Sequence, residues 1–209
     1  MERLRLDDPM SEVQKQYALE AALLLGFQAE SACFPIAGRD GEIPVPESEE
    51  ALRALWTTPS CEVPGDDTPA QKQGPVFDLD FRKKQGLEMV FSKGFFLKDE
   101  DFDLFPDRLD VKLVLPEDAD LSMWIAACNV AFRFGMETTA YTGTILASEG
   151  YTGNAVIFES AKQAEMILEE TEEAVRVHIR GSGAELEAFS ALLCGQLPEC
   201  MREGSCGPR

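Results

Sequence analysis

From Phe77 onward the chain alternates apolar and polar residues with a period of two, and no other feature constrains the fold as strongly. Phe77, Leu79 and Phe81 are interleaved with Asp78, Asp80 and Arg82; residues 83–86 then turn the chain, and Leu87, Met89 and Phe91 alternate again. Successive side chains of a strand point to opposite faces, so this pattern predicts a hairpin with one dry and one wet side. Further strands are expected at residues 111–115, 139–147, 153–158 and 175–179, with Ser148, Glu149 and Gly150 as a tight turn between two of them.

Helical spacing interrupts the strands. Residues 120–134 carry Leu121, Trp124, Ile125 and Cys128 on one face, with Gly135 as the expected stop. Residues 183–197 repeat Leu186, Phe189 and Leu193 and end at Pro198. Residues 160–170 are ambiguous between a helix and a strand built on Met166 and Leu168, and are read as a third helix.

The front third is punctuated differently: eight of the 12 prolines fall in residues 1–75. Asp8 and Pro9 fit a helix start, Gly26 fits its stop, and Met10, Val13, Tyr17, Ala21 and Leu24 would share one face. Ser48 ahead of Glu49, Glu50 and Leu52 fits a second, shorter helix. Neither has apolar surface enough for a core of its own. The expected organisation is a helical appendage at 1–58 packed on the main domain, a Pro/Gly-rich linker at 59–75, an α+β domain at 76–199 and a flexible tail at 200–209. The expected fold is α+β: a mainly antiparallel sheet with two or three helices packed on one face. A ββα-type internal duplication would align the strand 111–115 and its helix with the strand 175–179 and its helix.

Composition narrows the partners. Lys and Arg number 19 against 38 Asp and Glu, a formal charge of −19, and both the first 75 residues and the remainder are net acidic. Affinity for nucleic acid or anionic membrane comes largely from basic side chains, so both are set aside as partners. No apolar stretch is long enough for a bilayer span and the first residues lack a secretory pattern, which reads as a cytoplasmic protein with reduced thiols at its six cysteines.

His178 is the sole histidine, so any relay would have to use this one ring. Strand geometry places it on one side with Arg176 and Arg180, opposite Val175, Val177 and Ile179. Such a cationic row can hold a carboxylate or phosphate, or it can pair with carboxylates of neighbouring strands, for which Asp78 and Asp80 are candidates. Ser182 follows at a helix start, where backbone N–H groups attract anions, but Glu185 three residues on fits a capping box that uses those groups internally.

Residues 98–107 space their acids like the opening of a calcium loop, yet Leu104 stands where glycine is needed and Asp110 where a glutamate is usual. The aromatics there, Phe95, Phe96, Phe102 and Phe105, are candidate anchors for a protein partner. Cys194, Cys200 and Cys206 lack the close pairing of a zinc or cluster site. The sequence therefore assigns neither a metal nor a cofactor. Two readings follow: a non-catalytic binding or assembly protein working through a sheet face or edge, by a protein partner or self-association, and a small-molecule enzyme or sensor holding an anionic ligand at Arg176, His178 and Arg180.

Overall fold

The computed structural model describes residues 3–29, 32–55, 90–91, 95–100, 106–138, 144–148, 150–171 and 173–195. Along the chain these form β1 (Leu4–Arg5), α1 (Glu12–Phe27), β2 (Ala37–Gly38), β3 (Ile43–Pro44), α2 (Glu49–Ala54), β4 (Leu97–Lys98), β5 (Arg108–Leu109), β6 (Lys112–Val114), α3 (Leu121–Met136), β7 (Leu146–Ala147), β8 (Ala155–Ser160), β9 (Glu165–Glu170), β10 (Val175–Gly181) and α4 (Gly183–Gly195). The expected hairpin from Phe77 lies outside them except for Val90 and Phe91, as do the linker at 59–75 and the tail at 200–209.

α3 organises the core. Every residue from Leu121 to Gly135 is buried, and a helix apolar on all sides has to be enclosed on all sides. Its start is set by Asp120, whose carboxylate accepts the Met123 N–H at 2.8 Å. α1 and α4 pack against it. Gly135 is no stop; it lies inside α3 because the helices cross there at backbone contact, as Gly26 does inside α1. Two buried polar residues of α3 are satisfied by the elements around it. Asn129 accepts the Ile36 N–H and donates to Ser190 Oγ, each at 3.0 Å. Arg133 donates to the Cys194 carbonyl at 2.6 Å, pairs with Glu137 at 2.7 Å and lies over the Phe91 ring.

α1 begins later than the sequence suggests. Its cap is Ser11, whose hydroxyl accepts the Gln14 N–H at 3.2 Å, and its buried residues include Ala18, Leu19, the expected Ala21, Ala22, Leu23 and Gly26, leaving Val13 exposed. The expected Ser48 cap does open α2, by accepting the Ala51 N–H.

The sheets correct the expectation of a mainly antiparallel fold. The largest has the order β7-β6-β8-β10-β9; β6 runs parallel to β7 and β8, β8 runs parallel to β10, and only β9 is antiparallel to its neighbour. A three-stranded sheet, β2-β1-β3, is wholly parallel. The cause is α3: a helix between β6 and β7 carries the chain back along the sheet, so the two strands meet parallel. The Tyr151 N–H donates to the Ser148 carbonyl, with Glu149 of the expected turn outside the described residues, but β7 and β8 flank β6 on either side and do not pair with each other. β6–α3 and β10–α4 are both strand-to-helix units, yet β6 sits between two parallel strands and β10 between one parallel and one antiparallel strand. The third expected helix is instead strand β9. No helix among the described residues is long and apolar enough to cross a membrane.

Candidate functional site

Alternation divides the five-stranded sheet into two faces. Leu113, Val156, Phe158, Val177 and Ile179 join the helices in one core cluster. The residues between them face away from it and fall into three rows set by register. Ala147, Val114, Ile157, His178 and Ile167 form the middle row, one from each strand. Lys112, Ala155, Arg176 and Glu169 form the row on one side, and Glu159, Arg180 and Glu165 the row on the other. This face is thus an apolar band interrupted by one imidazole and bordered by charge; Val114 and Ala155 on it are buried, and Ile167 on β9 is exposed.

Arg176, His178 and Arg180 share this face, but their surroundings differ. His178 is held between two carboxylates: Nε2 lies 3.1 Å from Glu169 Oε2, and Nδ1 lies 3.3 Å from Glu159 Oε1, within ion-pair reach but off hydrogen-bonding geometry. Arg180 donates from Nε to Glu159 Oε2 at 2.6 Å and reaches Glu165 at 3.6 Å. Partial burial pushes the Glu159 carboxyl up, but the Arg180 hydrogen bond and the attraction of the adjacent His178 and Arg180 outweigh it, and the net direction is below the usual carboxylate value.

Arg176 has no such partner. Its Nη2 donates to the Thr152 carbonyl at 3.2 Å, and its Nε is buried without a hydrogen bond. Glu169, opposite it in register, is turned to His178, and no carboxylate of a described residue lies within ion-pair distance of Arg176. In the same row the Lys112 amine donates to the Thr144 carbonyl. The carboxylates that serve the cationic row are therefore Glu159, Glu165 and Glu169; Asp78 and Asp80 lie outside the described residues.

The other sequence candidates disperse. Ser182 is exposed, and its carbonyl accepts the Leu186 N–H as α4 begins. Glu185 does not close a box on it; its carboxylate accepts the Ala164 N–H at 3.1 Å and ties the start of α4 to the segment before β9. Phe95 and Phe96 are core residues, buried and packed edge to face at 4.6 Å, with Phe96 also against Phe134. Phe102 and Phe105 lie outside the described residues, as do Cys200 and Cys206. Cys194 is a buried thiol of α4.

The feature that sequence reasoning weighed and set aside is β9 itself, the strand alternative at residues 160–170. Its acids complete the charged rows, and its apolar Ile167 and Leu168 remain 37% and 44% exposed at the outer margin of the sheet. Three apolar residues in succession, Met166 to Leu168, hide the period of two, and the Glu172–Glu173 link to β10 lacks the glycine or asparagine that marks a tight hairpin. The one available signal was the matching run of acids on either side.

Comparison of the chain with protein-family models, with curated proteins and with solved structures finds no match.

Proposed function

We propose that this chain is a non-catalytic binding or assembly protein of the cytoplasm that acts through the β9 edge and the sheet face beside it. The observation that carries this reading is that β9 pairs on one side only among the described residues while exposing Ile167 and Leu168 at its centre. An edge strand with unpaired backbone and central apolar side chains is a template for another chain, and natural proteins usually blunt such edges. Most of the cationic row is already neutralised by Glu159, Glu165 and Glu169, which favours a structural role for those pairs over a catalytic one. The test compares wild type with Ile167→Lys/Leu168→Lys by sedimentation at several concentrations and by retention of binding partners. Wild type should form a complex that the double variant does not; a strictly monomeric wild type that retains nothing more than the variant would overturn the reading.

A second reading rests on Arg176, whose Nε is buried without a partner. A carboxylate or phosphate would supply the missing acceptor, with Arg180 and His178 beside it. Inorganic phosphate and simple dicarboxylates should then raise the melting temperature, and Arg176→Ala should abolish the rise. A flat response in wild type would sink this alternative.

A further inference from the structure

We infer that the β9 edge accepts an extended basic segment of another protein as a sixth strand, with apolar residues at its centre and Lys or Arg at its ends. This inference rests on the edge-binding reading above and adds the chemistry of the partner. Its first support is the backbone. The Thr171 N–H donates to the Ala174 carbonyl at 2.9 Å, which makes those two residues a hydrogen-bonded pair of the β9–β10 ladder. Bonded and non-bonded pairs alternate in an antiparallel ladder, so Glu169, Ile167 and Glu165 also point their backbone groups at β10. The N–H and C=O groups of Met166, Leu168 and Glu170 then point outward, where no described strand meets them. They are spaced to receive one more strand.

The second support is charge. The outward strand presents Glu165, Met166, Ile167, Leu168, Glu169 and Glu170 in order, three acids around three apolar residues. Glu165 and Glu169 are each about half exposed although they also serve Arg180 and His178. Side chains of paired residues lie on the same face, so an incoming strand meets acid, apolar, apolar, apolar, acid, acid. Its complement is basic at the first, fifth and sixth positions and apolar between. A second copy of this chain fits poorly: pairing β9 with β9 would gather three carboxylates from each copy into one ribbon, between proteins that each carry a charge of −19.

The test uses labelled peptides with the core Lys-Val-Val-Val-Lys-Lys and its reverse, which cover parallel and antiparallel docking, against versions with Glu in place of every Lys. Anisotropy on the full chain should show the basic peptide of one orientation binding at least about tenfold tighter than its acidic version, with affinity falling as salt rises. Leu168→Pro should remove this binding. The Leu168 N–H points away from β10, so proline there breaks no bond of the native ladder, and an unchanged melting temperature would verify that. Glu170→Lys provides an independent check by narrowing the preference for the basic peptide. Equal binding of basic and acidic peptides that Leu168→Pro abolishes would overturn the charge assignment and leave edge binding standing, as would a wild-type dimer that Leu168→Pro dissolves. Binding of the basic peptide that survives Leu168→Pro, or no binding of either basic peptide, would overturn the inference outright.

Discussion

Gly26 of α1 faces the Phe132 carbonyl of α3 so closely that a methyl carbon placed on it would stand 2.0 Å from that oxygen. The contact is reciprocal: a methyl carbon on Gly135 of α3 would stand 2.1 Å from the Leu23 carbonyl oxygen of α1. Two backbones in contact leave no flexible side chain to yield, so the helices would have to separate. Alanine normally gains about 1 kcal/mol over glycine inside a helix. Here overpacking should reverse the sign, and Gly26→Ala or Gly135→Ala should each cost about 2–3 kcal/mol or more. Urea denaturation measures this; a variant as stable as wild type would show that α1 and α3 do not cross in this way.

Asn129 holds three segments together from the middle of α3. Its carbonyl oxygen accepts the Ile36 N–H and its amide donates to Ser190 Oγ in α4, with no exposure to water. Asn129→Leu removes both bonds and leaves the Ile36 N–H buried without an acceptor, an expected cost of about 2–4 kcal/mol. Ser190→Ala gives up the Asn129 contact and the hydroxyl's own donation to the Glu187 carbonyl, but keeps the Ile36 N–H satisfied and should cost less. Equal losses from the two variants, measured by the same denaturation, would contradict this division.

Native-state labelling separates the thiols. Burial pushes the Cys128 thiol far up, with the charge of Glu20 adding to it, and burial does the same at Cys194 although Arg133 opposes it. A thiol that stays protonated and out of solvent is a poor nucleophile. A maleimide applied to the folded protein and mapped by peptide mass should modify exposed Cys33 and spare Cys128 and Cys194 until denaturant is added. Rapid modification of either buried position would refute the packing of α3 against its neighbours.

What the sequence made legible follows from which interactions are local. Caps are local, and Ser48 was readable because a short side-chain acceptor answers an amide three residues away, although at α1 that acceptor is Ser11 and not Asp8. The common side of Arg176, His178 and Arg180 was readable because pleating is a property of one strand. Strand order is not local. β6 and β7 lie parallel because of the helix between them, and nothing in residues 112–114 or 146–147 carries that information. Glycine misled twice: Gly26 and Gly135 look like stops because a helix end needs backbone freedom, whereas here the missing side chain permits a crossing between helices distant in sequence. Glu159, Glu165 and Glu169 remained anonymous acids until β8 and β9 were seen to flank β10.

Two carboxylates should shape the pH dependence of stability in opposite windows. Glu20 is nearly buried with Oε2 lacking a partner, and desolvation raises its pKa above the ordinary 4.5 although backbone groups at Ile145 and Leu146 and the charge of Lys112 pull it down. With the folded value above the unfolded one, the folded state holds the proton longer, so this residue's contribution declines as pH rises from about 4.5 through the folded value. Glu159 has the opposite sign: its folded value is depressed below 4.5, so its contribution is present above 4.5 and is lost as acid protonates the folded form. Glu20→Gln should therefore gain on wild type as pH climbs from 4.5 to 7, and Glu159→Gln should be weaker than wild type at neutral pH but converge with it as acid protonates the folded carboxylate. Denaturation at pH 3.5, 4.5, 5.5 and 7 resolves the two on the order-of-magnitude scale of such linkage. A Glu20→Gln variant that tracks wild type across the upper window would mean that this carboxylate reaches water, and with it that α1 does not close over the start of β7.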